Sequence, residues 1–143
     1  MKIFKRILAG TVSAAMIVSA LAVPATALSS AMTHKTDGGI LTMPNGTLYT
    51  YGTDTAASYT QATATLTCGR AANLYVTITA HGHVNGEPVA SNTNGNSLSG
   101  SGSIGTSIDN VFIYDGVKTA GRIAYAVGKY YINSNVVATT TVD

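Results

Sequence analysis

The chain has no tryptophan, one cysteine and one glutamate, and charged residues fill only 10% of its 143 positions. Each shortage excludes something. A lone cysteine, Cys68, permits no intrachain disulfide, and it stands too far from the start to be the lipidated first residue of a lipoprotein. One Glu and five scattered Asp give no support to a paired-carboxylate glycosidase site, which needs two carboxyls on facing elements. Leu, Glu and Lys are scarce while Thr, Ser, Gly, Asn, Ala and Tyr dominate, a composition poor for helices and good for strands and turns.

What is present first is an export leader. Met1-Lys-Ile-Phe-Lys-Arg6 is basic, Ile7 to Val23 is apolar, Pro24 breaks the stretch, and Ala25-Thr26-Ala27 has the small-x-small form of a signal-peptidase site. The expected cleavage follows Ala27, leaving Leu28 as the new N-terminus. Lys2, Lys5 and Arg6 leave with the leader. From residue 28 onward five Lys/Arg (8 minus 3) oppose six Asp/Glu, a net charge of −1. Five scattered cations are no footprint for nucleic acid or anionic lipid. No second apolar stretch supplies a membrane span after cleavage. The expectation is a secreted, extracellular protein.

The domain organisation expected is a signal peptide over 1–27, a flexible leader over 28–46 with one short strand near Ile40 to Met43, and a single all-β domain over 47–143. Apolar residues recur with period two, never at helical spacing. Ala62, Ala64, Leu66 and Cys68 share one face of a strand, and Leu74, Val76, Ile78 and Ala80 share one face of the next. Gly69 to Asn73 reads as a turn between them. Asn92 to Ser107, rich in Asn, Gly and Ser, reads as a loop or as thin edge strands.

Asp115-Gly116 between Ile108–Tyr114 and Val117–Val127 is a two-residue hairpin signal, and Asn133-Ser134-Asn135 marks a second hairpin. The first fixes its own register. Tyr114, Phe112, Asn110 and Ile108 face Val117, Thr119, Gly121 and Ile123, and Asp109 lands opposite Arg122. About seven to nine short strands with regular turn signals predict an antiparallel β-sandwich, with a small β-barrel as the alternative.

The segment Ile78-Thr-Ala-His-Gly-His-Val-Asn-Gly-Glu-Pro88 is the loudest chemically. His81 and His83 share a strand face and are weak metal candidates, because zinc needs three or four protein ligands. If Asn85-Gly86 turns the chain, His83 faces Pro88, while Glu87 pairs with Val84 and points away. The expectation is no metal, no cofactor and no catalytic residue. Cys68, on an apolar strand face, reads as a buried, inert thiol. Gly95 to Gly105 opens no helix and cradles no phosphate. Tyr49, Tyr51, Tyr59 and Tyr75 alternate away from the apolar faces and are the candidate ligand or interface face, for sugar stacking or protein contact.

These features predict a secreted β-sandwich protein acting by non-catalytic contact at the cell envelope or in an extracellular matrix. The partner would be a cell-surface protein or glycan, or a second copy joined through edge strands. A bacteriocin-like antibacterial polypeptide is the alternative, and a small carbohydrate-binding module or hydrolase the second.

Overall fold

The computed structural model of the chain describes residues 28–143. The expected export leader, 1–27, lies outside the described residues. Among those described there are nine strands and no helix: β1 Thr33–Thr42, β2 Leu48–Ala57, β3 Gln61–Val84, β4 Glu87–Pro88, β5 Asn92–Asp109, β6 Val111–Tyr114, β7 Val117–Ala120, β8 Arg122–Ile132 and β9 Asn135–Val142. All pairings are antiparallel. The all-β class is as the periodicity predicts, and the main sheet closes almost into a barrel.

The organising element is β3. From Ala62 to Cys68 and from Leu74 to Val84, even-numbered residues are buried and odd ones are at least partly exposed. Residues 69–73 do not end the strand as the sequence suggested. Between Cys68 and Ala72 β3 advances four residues while β5 advances two, from Gly102 to Gly100. Two extra residues keep the in/out parity, so the bulge bends the strand without turning it over. The glycine-rich run is likewise a strand: β5 follows β3 along almost its whole length.

β5 doubles back on itself. Asn94 Nδ2 donates to the carbonyl of Ser107 at 2.9 Å, although 13 residues of extended chain would span roughly 43 Å. Its partner β3 must bend with it, so the β3–β5 hairpin folds in half and its halves face each other. On the other edge of β3, β2 pairs with the first half and β8 with the second. β1 extends β2, and β9 extends β8. The result is two layers in one continuous, strongly bent sheet.

The inward faces meet in a core that includes Leu66, Leu74, Ile78, Ile123 and Ile132. Tyr130 is fully buried and joins the layers. Its hydroxyl donates to the Asp54 carbonyl at 2.9 Å and lies 2.6 Å from Thr55 Oγ1. A phenol has one proton, so Thr55 is the donor in the second bond. Burial pushes the Tyr130 pKa up to about 12.

The β6–β7 hairpin is a separate two-stranded sheet across one end. Tyr114 pairs with Val117 and Phe112 with Thr119, as the two-residue turn dictates, and Asp115 and Gly116 have φ of 49° and 77°. The pairing stops earlier than expected. Past the Asn110–Gly121 contact the strands part: Asp109 pairs with Gln61 and Arg122 with His83, so the Asp109–Arg122 pair does not form. The reason is that β5 and β8 serve opposite edges of β3. Phe112, buried, plugs the barrel end between them against Gly82.

The leader expectation also changes. Thr33–Thr42 is a full strand paired with β2, and Leu28, before it, is buried in the core. Its side chains are mostly exposed, so no burial alternation announced it.

Candidate functional site: the outer face of the second layer

The outer face of β5, β3, β8 and β9 gathers side chains that the core does not use. Tyr75 on β3 stands opposite Tyr131 on β8, with ring centroids 5.5 Å apart and tilted by 43°. The Tyr75 hydroxyl would lie 3.0 Å from a Cβ at Gly95, so this ring lies across β5 in space that the glycine leaves open. Six residues along both strands, His81 stands opposite Tyr125, stacked at 4.3 Å with planes within 8°. A strand rise of about 3.3 Å per residue puts the two aromatic pairs roughly 20 Å apart.

Between them the surface is hydroxyl-rich. Thr77 pairs with Lys129 and Thr79 with Val127, while Thr139 and Thr141 continue the rows on β9. Thr79 and Thr93 share a hydroxyl hydrogen bond of 2.9 Å. No carboxylate stands among these paired positions, and two cations approach them, Lys129 on β8 and Lys35, whose ammonium donates to the Thr141 carbonyl at 3.3 Å. Desolvation by burial, under the Tyr125 ring, lowers the His81 pKa below its ordinary 6.5, so His81 is an uncharged stacking ring at neutral pH.

The residues singled out from sequence disperse. His81 and His83 share the outer face, but His83 is held between Pro88 and Arg122, and Glu87 accepts from the Tyr114 hydroxyl at 3.4 Å. The third histidine, His34, pairs with Asp54 at 2.9 Å on the other layer. Among the described residues no three His, Cys, Asp or Glu come together as a metal site. Cys68 is buried, and its thiol donates to the Arg70 carbonyl.

The four candidate tyrosines do not share a face. Tyr49, Tyr51 and Tyr59 pack against the core, and Tyr51 donates to the Val137 carbonyl at 3.0 Å on β9. The expectation that they alternate outward fails for β2 because its inward positions are odd-numbered, 53, 55 and 57, and the tyrosines at 49 and 51 share that parity. Tyr59 lies under the Arg122 guanidinium, 4.4 Å from the ring centroid. Only Tyr75 is exposed, at 44%. Its partner Tyr131, and Tyr125 beside His81, were given no role from sequence. One signal was present: adjacent Tyr130 and Tyr131 on a strand must point to opposite sides, one inward and one outward.

No family model matches the chain, and no curated protein matches it. Among solved structures, the chain is similar to the β-glucosidase DesR of Streptomyces venezuelae, solved with D-glucose, at 9% identity and a TM-score of 0.25. That match covers 78% of this chain and spans only 15% of the enzyme's. A likeness of that size carries no argument about fold or activity.

Proposed function

We propose that the protein is exported and acts by non-catalytic contact at the cell envelope or in an extracellular matrix, with the outer face of β5–β3–β8–β9 as its contact surface. One observation carries the reading: two aromatic pairs stand about 20 Å apart at the ends of a hydroxyl-rich strip, on side chains free of any core duty. Rings with an apolar face and a polar rim suit a ligand that is itself amphipathic in that sense. A glycan fits: its C–H faces stack on tyrosine, and its hydroxyls pair with threonine.

The export leader and the net charge of −1 from residue 28 onward support the location and argue against a nucleic-acid partner. The test is sedimentation of the processed protein with cell-wall polysaccharide. Wild type should co-sediment, and Tyr75→Ala with Tyr131→Ala should weaken the binding by at least about tenfold, roughly 1.4 kcal/mol. Equal binding by the double variant would remove this face from the function. Killing of intact cells without wall binding would favour an antibacterial polypeptide instead.

A further inference from the structure

β5 pairs only with β3, and the edge it leaves is the longest free one among the described residues. From Asn92 to Ile108 it carries no charge and no proline, the two usual means by which a strand edge is kept from pairing with another chain. A different device is present. Asn92, Asn94 and Asn96 all point inward, and each donates from Nδ2 to a carbonyl on or just beyond the far half of the bent strand. The acceptors are Val111 at 3.1 Å, Ser107 at 2.9 Å and Gly105 at 3.0 Å.

Two of the three do more. Asn94 Oδ1 accepts the N–H of Gly95 at 2.9 Å, and Asn96 Oδ1 accepts that of Ser97 at 2.9 Å. In an antiparallel strand, alternate backbone groups point to the partner and away from it. Each of these carboxamides therefore takes an N–H from one free edge and gives one to the other. That is the bonding a peptide unit of an intervening strand would make, done by a side chain.

We propose that this asparagine ladder is a lock on a self-pairing edge. Closed, it keeps the chain monomeric. Opened, it presents uncharged strand edges whose partner is the β5 edge of a second copy. A second copy fits because like edges meeting across a two-fold axis are self-complementary, and Gly, Ser and Thr side chains neither clash nor repel there. This inference does not depend on the glycan-binding face, which is on the outer surface of the layer.

The test is the oligomeric state of the full chain as its host processes it. Wild type should keep the mass of a monomer as concentration rises. Asn94→Ala with Asn96→Ala should retain the β-sheet circular dichroism while its apparent mass at least doubles. Adding Ser103→Lys, a charge on the exposed edge, should return that variant to a monomer. Assembly of wild type over the same range would overturn the proposal, as would a folded, monomeric double variant. If the double variant does not fold, hydrogen exchange on wild type decides. The carboxamide protons of Asn94 and Asn96 should exchange at least about tenfold more slowly than a free amide, and free exchange would refute the lock.

Discussion

Replacing Tyr130 by phenylalanine probes the join between the two layers. The change keeps the ring and deletes one oxygen. That hydroxyl donates to the Asp54 carbonyl and accepts from the Thr55 hydroxyl, both on β2, and the Tyr130 and Thr55 side chains are fully buried. All buried side-chain polar atoms among the described residues are satisfied, so the substitution makes an orphan of Thr55 Oγ1. A buried group left without its partner costs about 1–3 kcal/mol. We expect Tyr130→Phe to lose about 2 kcal/mol in urea unfolding. Thr55→Val should cost less, because the Tyr130 proton keeps its acceptor at Asp54. The double variant should lose less than the sum of the two, since the hydroxyl orphaned by one change is deleted by the other. Strict additivity would refute the network.

The same group gives a pH signature. Its pKa is about 12 in the folded protein and about 10 when unfolded. Below pH 10 both states hold the proton, and the full contribution is present. Between 10 and 12 the unfolded chain ionises while the folded one does not, so stability falls as pH rises through that window. The upper bound is about 2.7 kcal/mol, reduced by any solvent screening. Tyr130→Phe should flatten this part of the alkaline limb, and an unchanged limb would show that another group governs it.

Gly82→Ala should be severely destabilising, by more than about 3 kcal/mol, because its Cβ would run into the Arg122 carbonyl and the Phe112 ring; a mild loss by thermal melting would mean that the plugged end is loosely packed. Gly116→Val meets no neighbour but forces a β-branched residue to a φ of 77°, costing about 1–3 kcal/mol, whereas Asp109→Ala, which breaks no ion pair, should cost less than about 0.5 kcal/mol. Ser134 holds a φ of 65° in the β8–β9 turn, so Ser134→Gly should raise stability by about 0.5–1 kcal/mol; a lower melting point would contradict the turn geometry. His81 should titrate below 6.5 by NMR and move back toward that value in Tyr125→Ala. Its contribution to stability is complete above pH 6.5 and is lost as pH falls toward the depressed folded value.

How much of this was legible depended on whether one residue's surroundings came from nearby in the chain. The alternation in β3 is local and is in the structure as read, and the register set by Asp115-Gly116 holds from Tyr114–Val117 to Val111–Ala120. Cys68 likewise showed its buried side by parity alone. β1 is legible only at its end, near Ile40 to Met43, because the strand is exposed on most positions and so carries no periodic signal. The sequence of β5 leaves loop and thin edge strands both open because Gly, Ser and Asn are poor strand formers in isolation, and its conformation is imposed by β3 running beside it. The Asp109–Arg122 pair failed for a topological reason. A hairpin rule carries a register outward only until another edge competes, and here β3 captures both strands. The outer aromatic pairs depend on the β3–β8 register, which joins residues about 50 positions apart and which no turn of known length sets.

A sheet bent in half around one long hairpin leaves two seams, and in this chain both are bridged by side chains that bond to edge carbonyls. At one seam the donors are Asn92, Asn94 and Asn96. At the other, between β1–β2 and β9, Tyr51 donates to Val137 at 3.0 Å and the Lys35 ammonium to Thr141 at 3.3 Å. Backbone ladders would close a barrel at these places, but the strands arrive without one. A chain with so few charges cannot guard its edges by repulsion, and its asparagines stand in place of the missing strand. It follows that alanine at Ser97 or Ser101, whose side chains bridge neither edge, should leave the urea unfolding midpoint nearly unchanged, whereas alanine at Asn94 or Asn96 should lower it; equal effects would refute the bridging role.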